Sequence, residues 1–177
     1  MELIPHPAFP PKAIHSVIVE IVASDGDEML LCYRVRGHGE LKLPEWLSPG
    51  RADDLWQTTC FELFVQPVGA KEYFEFNFSP SCKWAAYRFT GHREGRIDQP
   101  LHVEPLIERH PEPEADELGC LYGLDADVDL SEIRPGDLRI GLSAVIEEAD
   151  GTKSYWSLAH PADKPDFHDP MGFVVAF

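Results

Sequence analysis

Apolar side chains in this chain alternate with polar ones, and no segment carries a sustained stripe of helical period. Successive side chains on a strand point to opposite faces, so a segment patterned this way buries one face only as part of a sheet. Ile14 to Ser24 reads as a β-branched strand, with Val17, Val19 and Ile21 on one face and Ile18 and Val22 on the other. Asp25-Gly26-Asp27 is a turn signal, and Met29 to Arg36 is the returning strand of a hairpin. Gly37-His38-Gly39 ends it, and Leu41 to Leu43 is short and stops at Pro44. The central block is the strongest. Leu55 to Gln66, Tyr73 to Phe78 and Lys83 to Phe89 read as strands of an antiparallel meander, joined at Pro67-Val68-Gly69 and Ser79-Pro80-Ser81. Leu101 to Ile107, Leu118 to Val128, Leu138 to Glu147, Lys153 to Leu158 and Phe173 to Phe177 read as further strands. His110 to Glu117 is Pro/Glu-rich and reads as a solvent loop. Ser131-Glu132-Ile133 has room for one helical turn before Pro135 and Gly136 close it. Many short strands between Gly/Pro turns imply an all-β chain with little helix, folded as an antiparallel β-sandwich.

No internal repeat and no long linker divides the 177 residues, so residues 1–177 are expected to form a single domain. A chain this long buries about 70% of the surface exposed on unfolding and needs no disulfide or metal staple. Its 31 Asp+Glu against 15 Lys+Arg give a formal charge of −16. That balance disfavours a phosphate-backbone binder and an anionic membrane surface. Much of it falls between Glu104 and Asp137, where Arg109 and Arg134 are the only basic Lys or Arg residues. There it reads as solvation and protection of sheet edges. The start shows no basic region followed by an apolar one, and no apolar run approaches a membrane span. A cytoplasmic location is the default expectation. Cys32, Cys60, Cys82 and Cys120 are far apart and form no Cys-x-x-Cys pair, so they read as reduced structural thiols. The expected partner is a small molecule, with neither nucleic acid nor membrane; no cofactor is expected, and the oligomeric state stays open.

Alternation assigns faces in the central meander. In its first strand Leu55, Thr59, Phe61, Leu63 and Val65 share one face, and Trp56, Thr58, Cys60, Glu62 and Phe64 the other. In the second, Phe74, Phe76 and Phe78 oppose Tyr73, Glu75 and Asn77. The phenylalanines belong in the core with Phe61 and Leu63. The third strand adds either Trp84, Ala86 and Arg88 or Lys83, Ala85 and Tyr87 to the remaining face; the first set is favoured because Arg88 then meets a carboxylate. The candidate ligand-binding residues are therefore Trp56, Thr58, Glu62, Tyr73, Glu75, Asn77, Trp84 and Arg88. Carboxylates beside aromatic rings suit a sugar, whose C–H face stacks on a ring while its hydroxyls take paired donors and acceptors. The competing reading is structural: a Glu62–Arg88 cross-strand ion pair, with Trp56 a partly exposed core residue.

Three runs resemble a known family: Asp54-Leu55-Trp56-Gln57-Thr58-Thr59-Cys60-Phe61-Glu62-Leu63-Phe64, Tyr73-Phe74-Glu75-Phe76-Asn77-Phe78-Ser79-Pro80 and Trp84-Ala85-Ala86-Tyr87-Arg88-Phe89. They look like the DOMON-like domains, which are similar to family 9 carbohydrate-binding modules. Asp129-Leu130-Ser131 with Gly136, the strand Leu138 to Glu147, and Asp166-Phe167-His168-Asp169-Pro170 extend the likeness more loosely. The resemblance covers the chain from about Val17 to its end. It implies a jelly-roll type of β-sandwich and a non-catalytic binding role, typically for sugars or haem. The family's sugar binders use two loop tryptophans. Of Trp46, Trp56, Trp84 and Trp156, the best placed is Trp56, at a strand entrance.

Two other functional classes bear on these residues. A glycoside hydrolase needs two carboxylates about 5–5.5 Å apart for retention or about 6.5–9.5 Å apart for inversion, and Glu62 with Glu75 could supply such a pair. A metal or haem site would draw on His160, Asp166, His168 and Asp169, or on His92, His102 and Met171. Their spacing matches no zinc signature, and His168 reads as a cap for the turn before Pro170. Asp125-Ala126-Asp127-Val128-Asp129 fails the EF-hand pattern at Leu130 and Gly136 and reads as a strand with its aspartates in water. Gly91 to Arg96 reads as a basic, solvated hairpin tip with the means to close over an anionic group.

Overall fold

The computed structural model describes residues 1–23, 27–110, 119–133, 136–161 and 163–177. Among them the alternating segments form thirteen strands. These are β1 Glu2–Pro5, β2 Ile14–Ala23, β3 Glu28–Gly37, β4 Gly50–Arg51, β5 Cys60–Pro67, β6 Tyr73–Phe78 and β7 Lys83–Phe89. They continue with β8 Ile97–Asp98, β9 Leu106–His110, β10 Cys120–Asp129, β11 Leu138–Glu147, β12 Lys153–Ser157 and β13 Val175–Ala176. Helix is confined, among the described residues, to the 3-10 turns Leu55–Gln57 and Pro170–Gly172. None of it is long and apolar enough to cross a membrane. The Asp25-Gly26 turn, the Pro111 to Glu117 loop and Arg134-Pro135 lie outside the described residues.

The strands join into one curled sheet, a half-barrel, in the order β4-β7-β6-β5-β11-β12-β1-β2-β3-β10-β9. β13 adds to β11 and β8 to β7. All pairs are antiparallel except β4 with β7. The short β1 joins the two halves: Glu2 and Leu3 pair with Ile18 and Val17 of β2, and Ile4 and Pro5 pair with Ser157 and Trp156 of β12.

The apolar face of each half turns inward. Val17, Val19, Leu31, Tyr33, Tyr122 and Leu124 from one half share a single buried cluster with Phe61, Leu63, Phe76, Phe78, Ile140, Leu142 and Trp156 from the other. The Tyr33 and Phe61 rings lie 4.9 Å apart, and the buried Tyr33 hydroxyl donates to the Glu62 carbonyl at 2.9 Å. Of the four cysteine side chains, Cys60 and Cys82 are buried and Cys32 and Cys120 half-buried.

Four details depart from the sequence reading. Leu55 to Gln66 is not one strand: Asp54 takes a left-handed conformation (φ 58°), a 3-10 turn follows, and β5 begins at Cys60. Leu101 to Ile107 is displaced toward the C-terminus, to Leu106–His110. Strand β1 was not anticipated, because four residues ending in proline carry no alternation to detect. The face chosen for the third meander strand is reversed. Trp84 stands opposite Phe78 and Ala86 opposite Phe76, and residues directly opposite in a sheet share a face, so Trp84 lies in the core. Arg88, opposite Phe74, pairs with Glu72 at 2.6 Å and not with Glu62 or Glu75.

Candidate ligand-binding cavity

The outer face of the β5–β6–β7–β11–β12 segment carries polar and aromatic groups in place of the core's aliphatic ones. Glu62 stands opposite Asn77 on β6 and Ser143 on β11, while Glu75 stands opposite Phe64 and Tyr87. Glu62 and Glu75 are therefore diagonal neighbours on adjacent strands, projecting from the same face. Above them lies a cavity of about 800 Å³, the size of a small-molecule site.

The walls come from remote parts of the chain. Tyr87 and Phe89 rise from β7, and Trp56 projects from the 3-10 turn ahead of β5, 51% exposed. Tyr155 of β12 bridges Phe9, after β1, and Phe167, in the loop before β13, with ring centroids 5.1 and 6.2 Å apart. Arg93 and Arg96, on the hairpin after β7, also line the cavity. The hairpin is latched to the terminal loop. Asp166 accepts from Arg93 Nε and Nη2 at 3.1 and 2.9 Å and lies 2.8 Å from His92 Nε2. Tyr87 is held by its hydroxyl bond to Asp53 at 2.5 Å, with the Arg96 guanidinium 4.7 Å from its ring centre.

Both floor carboxyls are buried, 3% and 6% exposed for Glu62 and Glu75. Each is fixed by a neutral donor: Ser143 Oγ donates to Glu62 Oε2 at 2.8 Å, and Asn77 Nδ2 donates to Glu75 Oε1 at 2.7 Å. No lysine or arginine among the described residues forms an ion pair with either. Burial, reinforced by the Glu75 charge, pushes the Glu62 carboxyl up to about 8. Burial raises Glu75 as well, opposed by the Asn77 hydrogen bond and the charges of Arg93 and Arg96. Glu62 is therefore protonated at neutral pH, while the Asn77 hydrogen bond and the charges of Arg93 and Arg96 favour the charged form of Glu75.

His168 borders this floor with Nε2 3.7 Å from Glu75 Oε2. Burial, then the positive charge of Arg93, pushes its imidazole down to about 3, so it is neutral. Its tautomer follows from the hydrogen-bond network. The Arg93 backbone N–H donates to the Tyr73 hydroxyl at 3.2 Å, which leaves that hydroxyl's own hydrogen for His168 Nδ1 at 2.8 Å. Nε2 then carries the hydrogen that faces Glu75.

The eight residues singled out from sequence divide into three groups. Trp56, Glu62 and Glu75 meet at the cavity. Tyr73 and Asn77 share the face but lie buried beneath it, where they hold His168 and Glu75. Thr58 is turned to the Glu147 carboxylate, Trp84 is in the core, and Arg88 is with Glu72. Sequence reasoning missed Phe9, Phe89, Tyr155 and Phe167, whose sequence positions are unconnected. Tyr87 belonged to the rejected face set, and a fixed register for the β6–β7 turn would have selected it. His168 does not cap the turn before Pro170: Asp169 does, accepting from the Met171 N–H at 2.9 Å. Among the described residues no three His, Cys, Asp or Glu side chains are grouped to hold a metal. Asp125 is met by Arg34 at 2.6 Å and His110 at 3.0 Å.

No family model matches the chain, and no curated protein sequence matches it. In overall fold it is similar to a crystal structure from Bacteroides uniformis ATCC 8492, described as a "putative carbohydrate-binding protein". The TM-score is 0.69 at 20% identity, over 95% of this chain and 79% of the other.

Proposed function

We propose that the cavity binds a carbohydrate and that the chain is a non-catalytic binding module. The observation that carries this reading is the floor: two buried carboxyls side by side, each held by a neutral donor, beneath aromatic walls. Glu62 offers a donor and Glu75 an acceptor to neighbouring sugar hydroxyls, while Trp56 and Tyr87 offer faces for the C–H surface. The central motif's resemblance to DOMON-like domains, the all-β curled sheet and the neighbour's description support the same reading. Trp56, Glu62 and Glu75 are the contacting residues in this proposal. Tyr73 and Asn77 position others, and Trp84, Arg88 and Thr58 drop out.

The test is calorimetric titration with a panel of mono- and disaccharides. At least one sugar is expected to bind wild type, with loss of binding in Trp56→Ala and Glu75→Gln proteins that remain folded. Absence of heat from every sugar, or binding indifferent to both substitutions, refutes the proposal.

The same floor supports a second reading, cleavage of a glycosidic bond with Glu62 as general acid and Glu75 as its partner. What favours it is that one environment keeps a proton on Glu62 while another stabilises charge on Glu75. Release of nitrophenol from aryl glycosides, lost in Glu62→Gln, would establish it; no release across the α- and β-glycosides of common hexoses would dismiss it.

A further inference from the structure

We infer that the sugar held by this cavity carries a protonated amine, whose ammonium group lies between the Glu62 and Glu75 carboxyls. The inference rests on the carbohydrate reading above and narrows its ligand class. Two carboxyls that are diagonal neighbours, both more than nine-tenths buried, are costly to ionise together without a cation in contact, and no lysine or arginine among the described residues forms an ion pair with either. Each carboxyl also has one oxygen secured and one left over. Glu62 Oε1 has no hydrogen-bond partner among the described residues, and Glu75 Oε2 faces His168 Nε2 from 3.7 Å, beyond hydrogen-bond reach. An ammonium has three donors, enough to take both free oxygens and a third acceptor.

Of the cations that line the cavity, Arg93 and Arg96 are engaged elsewhere, and Lys164 forms no ion pair with either carboxyl. Arg93 is doubly bonded to Asp166, and Arg96 lies against the Tyr87 ring. His168 is neutral. Trp56, Tyr87 and Phe89 line the same space, and aromatic faces attract ammonium groups. A uronic acid would set a third carboxylate against the two on the floor. A neutral sugar would bring the pair no cation in direct contact.

Proton release follows. The titratable and charged groups around Glu62 and its cavity include Cys60, Glu75 and Tyr87 from the sheet, Asp54 from the turn before β5, Arg93 and Arg96 from the hairpin, and Lys164 and His168 from the terminal loop. An ammonium among them favours the charged form of Glu62, so the proton it holds at neutral pH leaves for solvent as the amine enters.

The experiment is isothermal titration of the full chain at pH 7 in two buffers of different ionisation enthalpy. The probes are the amino, N-acetylamino and hydroxyl forms of glucose, galactose and mannose, with cyclohexylamine as an amine that is not a sugar. At least one amino sugar is expected to bind ten times or more tighter than its N-acetylated and hydroxyl counterparts. It should release close to one proton per ligand from wild type and none from Glu62→Gln. A hydroxyl or N-acetylated sugar binding as tightly as its amino form overturns the inference and leaves the carbohydrate reading intact. Cyclohexylamine binding as tightly as the best amino sugar, with no neutral sugar binding, supports the cation site and refutes the carbohydrate reading. No binding by any probe refutes both.

Discussion

Replacing Glu62 by glutamine should change how stability depends on pH. Burial and the neighbouring Glu75 raise the Glu62 carboxyl from 4.5 to about 8. The folded state therefore keeps a proton that the unfolded chain gives up above about pH 4.5. Where the folded state binds more protons, stability falls as pH rises. The stabilisation is fully present below about pH 4.5 and is lost as pH rises through about 8. At about 1.36 kcal/mol per unit, a raise of this size is worth on the order of 4–5 kcal/mol. Glutamine keeps the shape and the Ser143 bond but does not ionise. From pH 5 to 7 residue 62 is neutral in both proteins, so Glu75 meets the same neighbour and its own titration cancels in the difference. The variant should gain on wild type steadily from pH 5 to about 8 and level off above it, by roughly 10–15 °C in Tm overall for a chain of this length. Differential scanning calorimetry of both proteins across that range gives the measurement. A Tm difference that stays constant with pH would mean that Glu62 is ionised in the fold, and the account of the cavity floor would be wrong.

Three further outcomes follow from the packing. Trp56→Ala should leave stability within about 0.5 kcal/mol of wild type, because the ring is half exposed, yet weaken sugar binding about tenfold or more. Urea unfolding and calorimetry check both halves, and equal losses in the two would make Trp56 a packing residue. Tyr33→Phe removes the buried hydroxyl bond to the Glu62 carbonyl and should cost about 1 kcal/mol in urea unfolding, with no change if that carbonyl is satisfied without it. Gly141→Ala places a methyl 2.5 Å from the Phe173 ring, which stacks on Phe64. It should cost about 1–3 kcal/mol and shift the Phe173 ring resonances; a silent substitution would show that the ring yields freely.

Much of the sheet could be read from local pattern. Tyr73–Phe78, Lys83–Phe89 and Leu138–Glu147 have the bounds that alternation predicted, because a period of two is carried by adjacent residues. The inward faces of β5 and β6 follow from the same periodicity. Face choice in β7 did not, because it depends on register across a turn. The Ser79 N–H bonds to the Lys83 carbonyl and Cys82 adopts a left-handed conformation (φ 65°), and this geometry sets Trp84 opposite Phe78. A slip of one residue would have reversed every side chain of the strand.

Alternation along β5 and β6 alone was enough to put Glu62 and Glu75 on one face, away from the phenylalanine core. Their protonation was not legible, since it depends on how completely the cavity walls exclude water. Those walls combine Phe9, Tyr87, Tyr155 and Phe167, which meet because β1 bridges the two halves and β12 lies beside β11. Arg93 and His168 are joined through Tyr73 across 95 residues of sequence between Tyr73 and His168. Local periodicity decided which side chains could share a face. Long-range strand order decided which faces and loops enclose one space, because contacts between distant segments leave no periodic trace in the chain.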